Sequence, residues 1–305
     1  MITGVAVLLV SFAVRMPESR SIHPRRLDLP GALIFPAAMA CLIVGLTLGR
    51  QSWTQASTLL LLALAAVLLV SFVLVERLVS EPLLDLRLFT RPLFIASASG
   101  ALFAGLALIA LMSFVPQMLQ KALGETPLTS AGILAIWSLP SMLAAMQARR
   151  LPSRIGSATR LIIGFTLCAI GLATPTGLHP LASWLRLAPG LFIPGIGSGV
   201  TNAALGRLAV ESVPPEDSAF GSAANNTARY LGGAAGIAIV VAVVAAADNT
   251  PGAAGLVHGW NLAAFLAAIM CLLAAGVAVW CQIRVNAQTM PTHPANPATI
   301  EPATG

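Results

Sequence analysis

Long apolar runs separated by short polar segments dominate the chain. A helix crosses the hydrocarbon core of a bilayer with about 20 apolar residues, because each residue advances about 1.5 Å along the helix axis. Breaker pairs such as Pro30-Gly31 and Pro214-Pro215 separate the runs. Eight runs are long enough, or nearly so, to be predicted transmembrane helices: residues 30–49, 57–76, 93–116, 128–148, 159–177, 183–208, 219–247 and 260–282.

The two ends of the chain differ from this pattern. Residues 2–14 form a ninth apolar run of only about 20 Å if helical, too short for a relaxed crossing. A signal peptide is disfavoured, because Arg15 and Arg20 follow the apolar run and no basic residue precedes it. We interpret this run as the second half of a spanning helix whose beginning is not in this chain. The segment after Met290 is rich in Pro, Thr and Ala, and residues 285–305 are predicted to be a disordered tail.

The basic residues are sorted by the side of the membrane on which their loops would lie. When loops alternate between two compartments, only Arg50, Lys121 and Arg186 of the 17 Lys and Arg residues fall outside. The others fall on the inner side: Arg15, Arg20, Arg25, Arg26, Arg77, Arg87, Arg91, Arg149, Arg150, Arg154, Arg160, Arg207, Arg229 and Arg284. Positive charge accumulates on cytoplasmic loops of multi-pass proteins. The sequence therefore predicts an all-α integral membrane protein of the plasma (inner) membrane, embedded in the lipid bilayer, with a cytoplasmic C-terminus.

Composition agrees with a membrane protein and excludes several other classes. Hydrophobic residues make up 57% of the chain and charged residues 9%, against about 25% charged in soluble domains. The excess positive charge lies in short loops, without a basic helix, so no nucleic-acid partner is expected. The four cysteines lie in apolar runs without CxxC spacing, and the four histidines are scattered. Neither a metal site, a cofactor nor an enzyme is expected.

A stripe of small and polar residues marks the seventh predicted span. If that helix starts near Ser218, Asn225, Arg229, Gly232 and Gly236 follow at steps of four, three and four, on one face. Gly232 and Gly236 would let a neighbouring backbone approach closely. Two interpretations stay open. The stripe is either only a helix-packing contact, or it also turns Asn225 and Arg229 towards a central cavity. Arg229 could instead extend to the inner interface.

Other unusual positions lie in the spans before it. Pro194 and the glycines at 195, 197 and 199 weaken a helix in mid-membrane. Gly195 and Gly199 therefore indicate either close packing or a bend used in transport. Asn202 follows and is a candidate cavity residue. Trp137 lies too deep for the interfacial belt and is either a packing residue or an aromatic wall for a lipophilic substrate. Gln117, at the outer end of its span, is either an interface residue or a further cavity candidate.

Four motifs together resemble one family. The run Gly221-Ser-Ala-Ala-Asn225-Asn226-Thr-Ala-Arg229-Tyr-Leu-Gly232-Gly-Ala-Ala-Gly236 is similar to a segment of EmrB/QacA-type transporters, the fourteen-helix drug:proton antiporters of the major facilitator superfamily. Arg26-Leu-Asp28-Leu-Pro-Gly31 resembles the start of that family's extra helix pair. The segment Glu81-Pro-Leu-Leu-Asp85-Leu-Arg-Leu-Phe89 resembles the entry to its second half, and residues 154–160 resemble a basic inter-helix loop.

The resemblance implies a domain order and a set of cavity residues. Residues 1–26 would be the end of a truncated helix and a cytoplasmic loop, 27–91 the linker helix pair, 92–284 the C-terminal six-helix half, and 285–305 the tail. The fold would be an incomplete facilitator fold with eight full helices and one partial N-terminal helix. Asn225, Asn226, Arg229, Asn202, Trp137 and Gln117 would be the candidates for contact with a lipophilic small-molecule substrate.

The acidic residues bear on coupling. By the predicted spans, all eleven acids lie in loops, at helix ends or in the tail, whereas proton coupling normally needs a titratable group within the membrane. In the family, such carboxylates belong to the first half, which would be missing here. The expected function is therefore the C-terminal portion of a proton-coupled multidrug exporter working by alternating access. The alternative is a non-transporting fragment, or a partner subunit of a split transporter.

Overall fold

The computed structural model describes residues 29–49, 52–78, 86–148, 150, 155–174, 183–246 and 252–289. Within these ranges every regular element is helical, which confirms the all-α prediction. Short 3₁₀ turns precede three of the helices, at Leu86–Thr90, Trp184–Leu187 and Pro215–Asp217. The eight long helices are α1 (Leu29–Gly49), α2 (Ala56–Leu78), α3 (Pro92–Ala122), α4 (Pro127–Ala148), α5 (Ser157–Ala173), α6 (Ala188–Glu211), α7 (Ser218–Ala246) and α8 (Ala253–Thr289).

The helices coincide with the eight predicted spans but differ at several ends. α3 continues past Pro116 to Ala122, and α8 begins seven residues before the predicted span. α8 also runs to Thr289, into the segment predicted as a tail, and the Gln282 Nε2 donates to the Asn286 Oδ1 across one turn (3.2 Å). Hydropathy locates the lipid-buried part of a helix, whereas such polar pairs extend the helix into water. The predictions for residues 2–14, for the 81–85 motif and for the tail beyond 289 lie outside the described residues.

Five of the eight helices are both long and apolar enough to cross a membrane: α2, α3, α4, α7 and α8. Two more stretches, Leu33–Gly49 in α1 and Ser157–Ala173 in α5, are apolar but shorter. α6 has 24 residues, but its five glycines, Pro194 and Asn202 make it less apolar than the others. Crossing by α1, α5 and α6 remains a prediction from the alternation of loop charges.

Helices α3 to α8 share one hydrophobic core. α6 packs against α4 on one side and α5 on the other, while α8 packs against α5 and α3. α3 also packs closely against α7. Fully buried large side chains from several helices, including Leu111, Phe165, Leu191 and Trp260, fill the space between them. α1 and α2 form a separate antiparallel pair that reaches this bundle through contacts between α1 and α7.

The outer surface of the helices is apolar, as expected for a protein surrounded by lipid. α2 exposes Leu60, Val67 and Val70 to at least 60% of their full area. α4 likewise exposes Leu139 and Leu143 on the side away from α6. A water-soluble protein rarely exposes contiguous apolar surface of this extent. Apolar surface of this extent is compatible with a protein embedded in the hydrocarbon of a bilayer.

A polar network joins α4, α5 and α6 at one end of the bundle. Arg160, which is 4% exposed, donates through Nε to the Ile155 carbonyl (3.0 Å) and through Nη1 to the Ala148 carbonyl (3.2 Å). The Ser157 hydroxyl donates to the Glu211 Oε2 (2.6 Å), and Arg207 pairs with the other oxygen of that carboxylate. The bond to Ala148 satisfies a carbonyl group at the C-terminus of α4, which the helix itself leaves without a partner.

Candidate functional site

The helices α3, α4, α6 and α7 line an open cavity of about 630 Å³. α3 contributes Ala104, Leu108, Ile109, Met112 and Ser113, α4 contributes Trp137, Ser138, Ser141, Met142 and Ala145, α6 contributes Ser198 and Asn202, and α7 contributes Arg229. Ala145 lies one turn from the end of α4 and the other positions lie deeper in their helices, so the cavity extends from the middle of the bundle towards the C-terminal end of α4. Its volume falls in the range of about 300–1,000 Å³ that is typical of small-molecule sites.

Three of the six predicted cavity residues line this space: Trp137, Asn202 and Arg229. Trp137 is buried at the base of the α4 wall. Asn202 is one turn beyond Ser198 and donates to its hydroxyl oxygen (3.4 Å). Arg229 reaches the cavity from α7 and donates through Nη2 to the Asn226 Oδ1 (2.9 Å).

The other three predicted residues lie away from the cavity lining. Asn225 is 7% exposed and lies between α7 and α3, where its amide donates to the Ser97 carbonyl (3.2 Å) and hydroxyl (3.0 Å). Asn226 is exposed beside Arg229 and orients its guanidinium. Gln117 is exposed near the end of α3. Along the predicted stripe, therefore, Asn225 makes a helix-packing contact and Arg229 points into the cavity.

Glycines allow α7 to approach α3 closely beside the cavity. A Cβ atom placed on Gly232 would overlap the Leu102 carbonyl oxygen, and one on Gly236 would overlap the Leu106 carbonyl oxygen. From the other side, a Cβ atom on Gly105 would overlap the Arg229 carbonyl. The two backbones are therefore in contact, with no room for side chains between them. This contact fixes the position from which Arg229 enters the cavity.

α3 changes from α-helical to π-helical at this crossing, over Gly105–Ile109. A π-turn inserts an extra residue and shifts the faces that the two helix halves present. Ala104 lies before the π-turn and Met112 after it, and both line the cavity. The pattern of apolar residues does not predict this feature. Gly105, in an otherwise apolar run, was its only local signal.

The glycines of α6 serve two different neighbours. Cβ atoms on Gly195 and Gly199 would meet backbone atoms of Trp137 and Ser141 in α4. A Cβ atom on Gly197 would lie 2.6 Å from the Gly164 carbonyl oxygen in α5. α6 is thus held between α4 and α5 by close backbone contacts on opposite faces, which keeps Ser198 and Asn202 at the cavity.

The serines of the cavity were missed by the sequence analysis. Ser113 and Ser138 donate their hydroxyl hydrogens to the carbonyls four residues earlier, Ile109 (2.7 Å) and Leu134 (3.1 Å). A serine satisfied in this way is well tolerated in an apolar helix, so it gives a weak sequence signal. The spacing of Ser138 and Ser141, three residues apart next to Trp137, was the one available indication of a shared polar face.

The cavity has the composition of a site for an amphipathic organic molecule. Trp137, Met112 and Met142 provide aromatic and adaptable apolar contacts, and the serines, Asn202 and Arg229 provide a few polar ones. Within the part of the chain that the structure describes, no three His, Cys, Asp or Glu side chains come together as they would around a metal ion.

Comparison with known proteins identifies relatives over most of the chain. The sequence profile of the Major Facilitator Superfamily matches residues 4–237. The multidrug resistance protein Stp of Mycobacterium tuberculosis is 28% identical over 244 residues, covering 80% of this chain and 45% of that protein. A puromycin resistance protein of Streptomyces alboniger is 27% identical over 300 residues, covering 94% of this chain and 59% of that protein.

A cephamycin export protein of Amycolatopsis lactamdurans is 28% identical over 256 residues, covering 79% of this chain and 50% of its own length. The chain thus spans about half the length of the curated relatives it matches. The family profile covers well over half of the chain, and the helices of the structure agree with it. The protein is an integral membrane protein that belongs to the major facilitator superfamily of transporters.

Proposed function

We propose that this chain forms the C-terminal portion of a proton-coupled exporter of lipophilic small molecules, of the EmrB/QacA type. The cavity between α3, α4, α6 and α7 carries the proposal, because it combines the size of a drug-sized site with adaptable walls. The names of the relatives, multidrug resistance protein and cephamycin export protein, support export of organic compounds. The α1–α2 pair would be the linker between two six-helix halves.

The proposed mechanism is alternating access. The six helices α3 to α8 would form one wall of a central site and rock against a second half, so that the cavity opens first to one side and then to the other. The close glycine contacts of α7 with α3, and of α6 with α4 and α5, would let these helices move as one body. The carboxylates that exchange protons would lie in the other half.

The charge pattern supports a cytoplasmic position for the end of α8. Arg284 lies over the Trp280 ring with its guanidinium carbon 5.2 Å from the ring centroid, near the end of the helix. Arg and Trp together are typical of the boundary between hydrocarbon and headgroups, and Arg favours the cytoplasmic side. The protein would lie in the plasma (inner) membrane with this end inside.

Transport in proteoliposomes tests the proposal. The full chain is reconstituted alone and together with the part of the puromycin resistance relative outside the 59% that this chain matches, and uptake of a lipophilic dye is followed after a pH jump. We expect uptake that depends on the pH gradient in the assembly with both halves. Absence of gradient-dependent uptake in both preparations would contradict the proposed function.

Two neighbouring positions in α4 provide a matched pair of variants. Ser138 lines the cavity, whereas Leu139 is 56% exposed and is not among the residues that line the cavity. We expect Ser138→Trp to fill the cavity and reduce uptake at least about tenfold, a loss of about 1.4 kcal/mol of transition-state stabilisation. Leu139→Trp should leave uptake within about twofold. Equal effects of the two variants would show that this cavity is not on the transport path.

A further inference from the structure

The charge of the cavity lining is unbalanced. Arg229 is the one charged residue among the thirteen that line it, and none of the other twelve is acidic. Its polar companions are the neutral side chains of Ser113, Ser138, Ser141, Ser198 and Asn202. An arginine side chain remains protonated in proteins. The wall that this chain contributes therefore carries a fixed positive charge.

The guanidinium group of Arg229 is only partly satisfied. Its Nη2 donates to the Asn226 Oδ1 (2.9 Å), and its guanidinium carbon lies 5.7 Å from the Tyr230 ring centroid. Its Nε is buried and has no hydrogen-bond acceptor. Among the described residues, no carboxylate forms an ion pair with Arg229. The ion pair between Arg207 and Glu211 in α6 lies at the end of the bundle, away from the cavity.

This arrangement stabilises one kind of ligand more than others. A buried donor without an acceptor is unfavourable, and a charged one more so, until a partner is supplied. A carboxylate or sulfonate offers two oxygens to the planar N–H groups of arginine, which gives the strongest class of hydrogen bond in proteins. A cation at the same place would instead be repelled, because the low-dielectric surroundings screen the charges weakly.

We propose that the cavity selects lipophilic monoanions, molecules with one carboxylate or sulfonate on an apolar, ring-containing body, over cations of the same shape. The anionic group contacts Arg229, and the apolar body packs against Trp137 and the two methionines, Met112 and Met142. The proposal rests on the proposed function, since it names the substrate class of the same cavity.

Three probes with one fluorophore and different charges test the selectivity. N-dansyl-alanine carries one negative charge, its amide N-dansyl-alaninamide carries none, and dansylcadaverine carries one positive charge. Their binding to the full chain in lipid nanodiscs is measured by dansyl fluorescence, with empty nanodiscs as the blank for partitioning into lipid. We expect the anion to bind at least about tenfold more tightly than the amide, and the cation to bind most weakly.

Variants connect the selectivity to one side chain. Arg229→Gln should weaken binding of the anion at least about tenfold and leave the amide within about twofold, while Arg229→Lys should retain the preference. Arg284→Gln is the matched control, because it removes one positive charge at a site far along α8, outside the cavity lining. It should leave the binding of all three probes unchanged.

The outcomes separate this inference from the function on which it rests. If the amide and the cation bind as tightly as the anion, or if Arg229→Gln leaves anion binding unchanged, the anion selectivity is wrong and the lipophile site stands. If none of the probes binds above the blank, the lipophile site itself is wrong. Should Arg229→Gln fail to fold, the order of the three probes on the unmodified chain and on Arg229→Lys decides.

Discussion

The glycine contact between α3 and α7 gives a quantitative prediction for stability. A Cβ atom on Gly232 would overlap the Leu102 carbonyl oxygen and lie 2.9 Å from its carbon and 3.1 Å from the Leu106 nitrogen. All three are backbone atoms, which cannot turn aside as a side chain would. Gly232→Ala therefore forces the two helices apart, and overpacking of this kind costs about 1–3 kcal/mol.

A matched variant separates this cost from the helix propensity of alanine. Gly276 lies in α8, where a Cβ atom would have no neighbouring helix within 4 Å, so Gly276→Ala gains only the helix propensity of alanine, up to about 1 kcal/mol. The difference between the two variants should equal the overpacking cost of about 1–3 kcal/mol. At about 2–4 °C per kcal/mol, Gly232→Ala should melt roughly 2–12 °C below Gly276→Ala.

Thermal unfolding of the purified variants in one detergent measures this difference, with tryptophan fluorescence as the signal. The same separation of helices should also displace the α3 wall of the cavity, so Gly232→Ala should reduce transport as well as stability. Melting temperatures that agree within about 1 °C would refute the reasoning, because they would mean that α3 and α7 are not in backbone contact.

Two further predictions concern polar contacts. Asn225→Ala removes the hydrogen bonds to Ser97 and should lower the free energy of unfolding by about 1–2 kcal/mol. A double-mutant cycle with Ser97→Ala should give a coupling energy of about 0.6–1.7 kcal/mol. A coupling energy of zero would mean that the two side chains are not in contact. Burial raises the pKa of Glu211, but the Ser157 hydroxyl and the Arg207 guanidinium lower it more, so its pKa lies below the ordinary value. Glu211 lies beyond the predicted span, at the end of α6. Because its pKa is lowered in the folded state, the ionised carboxylate should stabilise the fold fully above about pH 4.3, and this stabilisation should be lost as the pH falls through the lowered pKa. Melting curves against pH should show this acid loss in the unmodified chain and in Glu216→Gln, and a weaker one in Glu211→Gln; identical acid profiles for all three would contradict it.

The sequence was sufficient for the helices because apolar length is a direct consequence of bilayer thickness. Each predicted span has a helix in the structure. The predicted ends of the helices were less accurate than their number and order. Hydropathy stops where lipid stops, whereas α8 continues to Thr289 through polar side chains that bond within the helix. The π-turn at Gly105–Ile109 was not predicted either, because the pattern of apolar residues is the same for an α-turn and a π-turn; it lies where Gly105 meets the backbone of α7.

The cavity was only partly predictable, for a related reason. Trp137, Asn202 and Arg229 are conspicuous in apolar helices, since a large polar or amphipathic group there needs a partner or a cavity. Asn225 gives the same signal, yet it finds its partner in Ser97 of a neighbouring helix. Whether a polar residue of α7 finds a partner in α3 or enters the cavity depends on the rotation of α7 about its axis relative to α3. That rotation is fixed by the glycine contacts and cannot be read from one helix alone.

Labelling of single cysteines tests the central claim, a polar cavity within the membrane on one face of α4. In a background in which Cys41, Cys168, Cys271 and Cys281 are replaced, Ser138→Cys and Leu139→Cys are exposed to a membrane-impermeant maleimide in native membranes. We expect Ser138→Cys to react and to be protected by a bound lipophile, and Leu139→Cys to stay unlabelled in the hydrocarbon. Equal labelling of the two positions, or labelling of Leu139→Cys alone, would contradict the account.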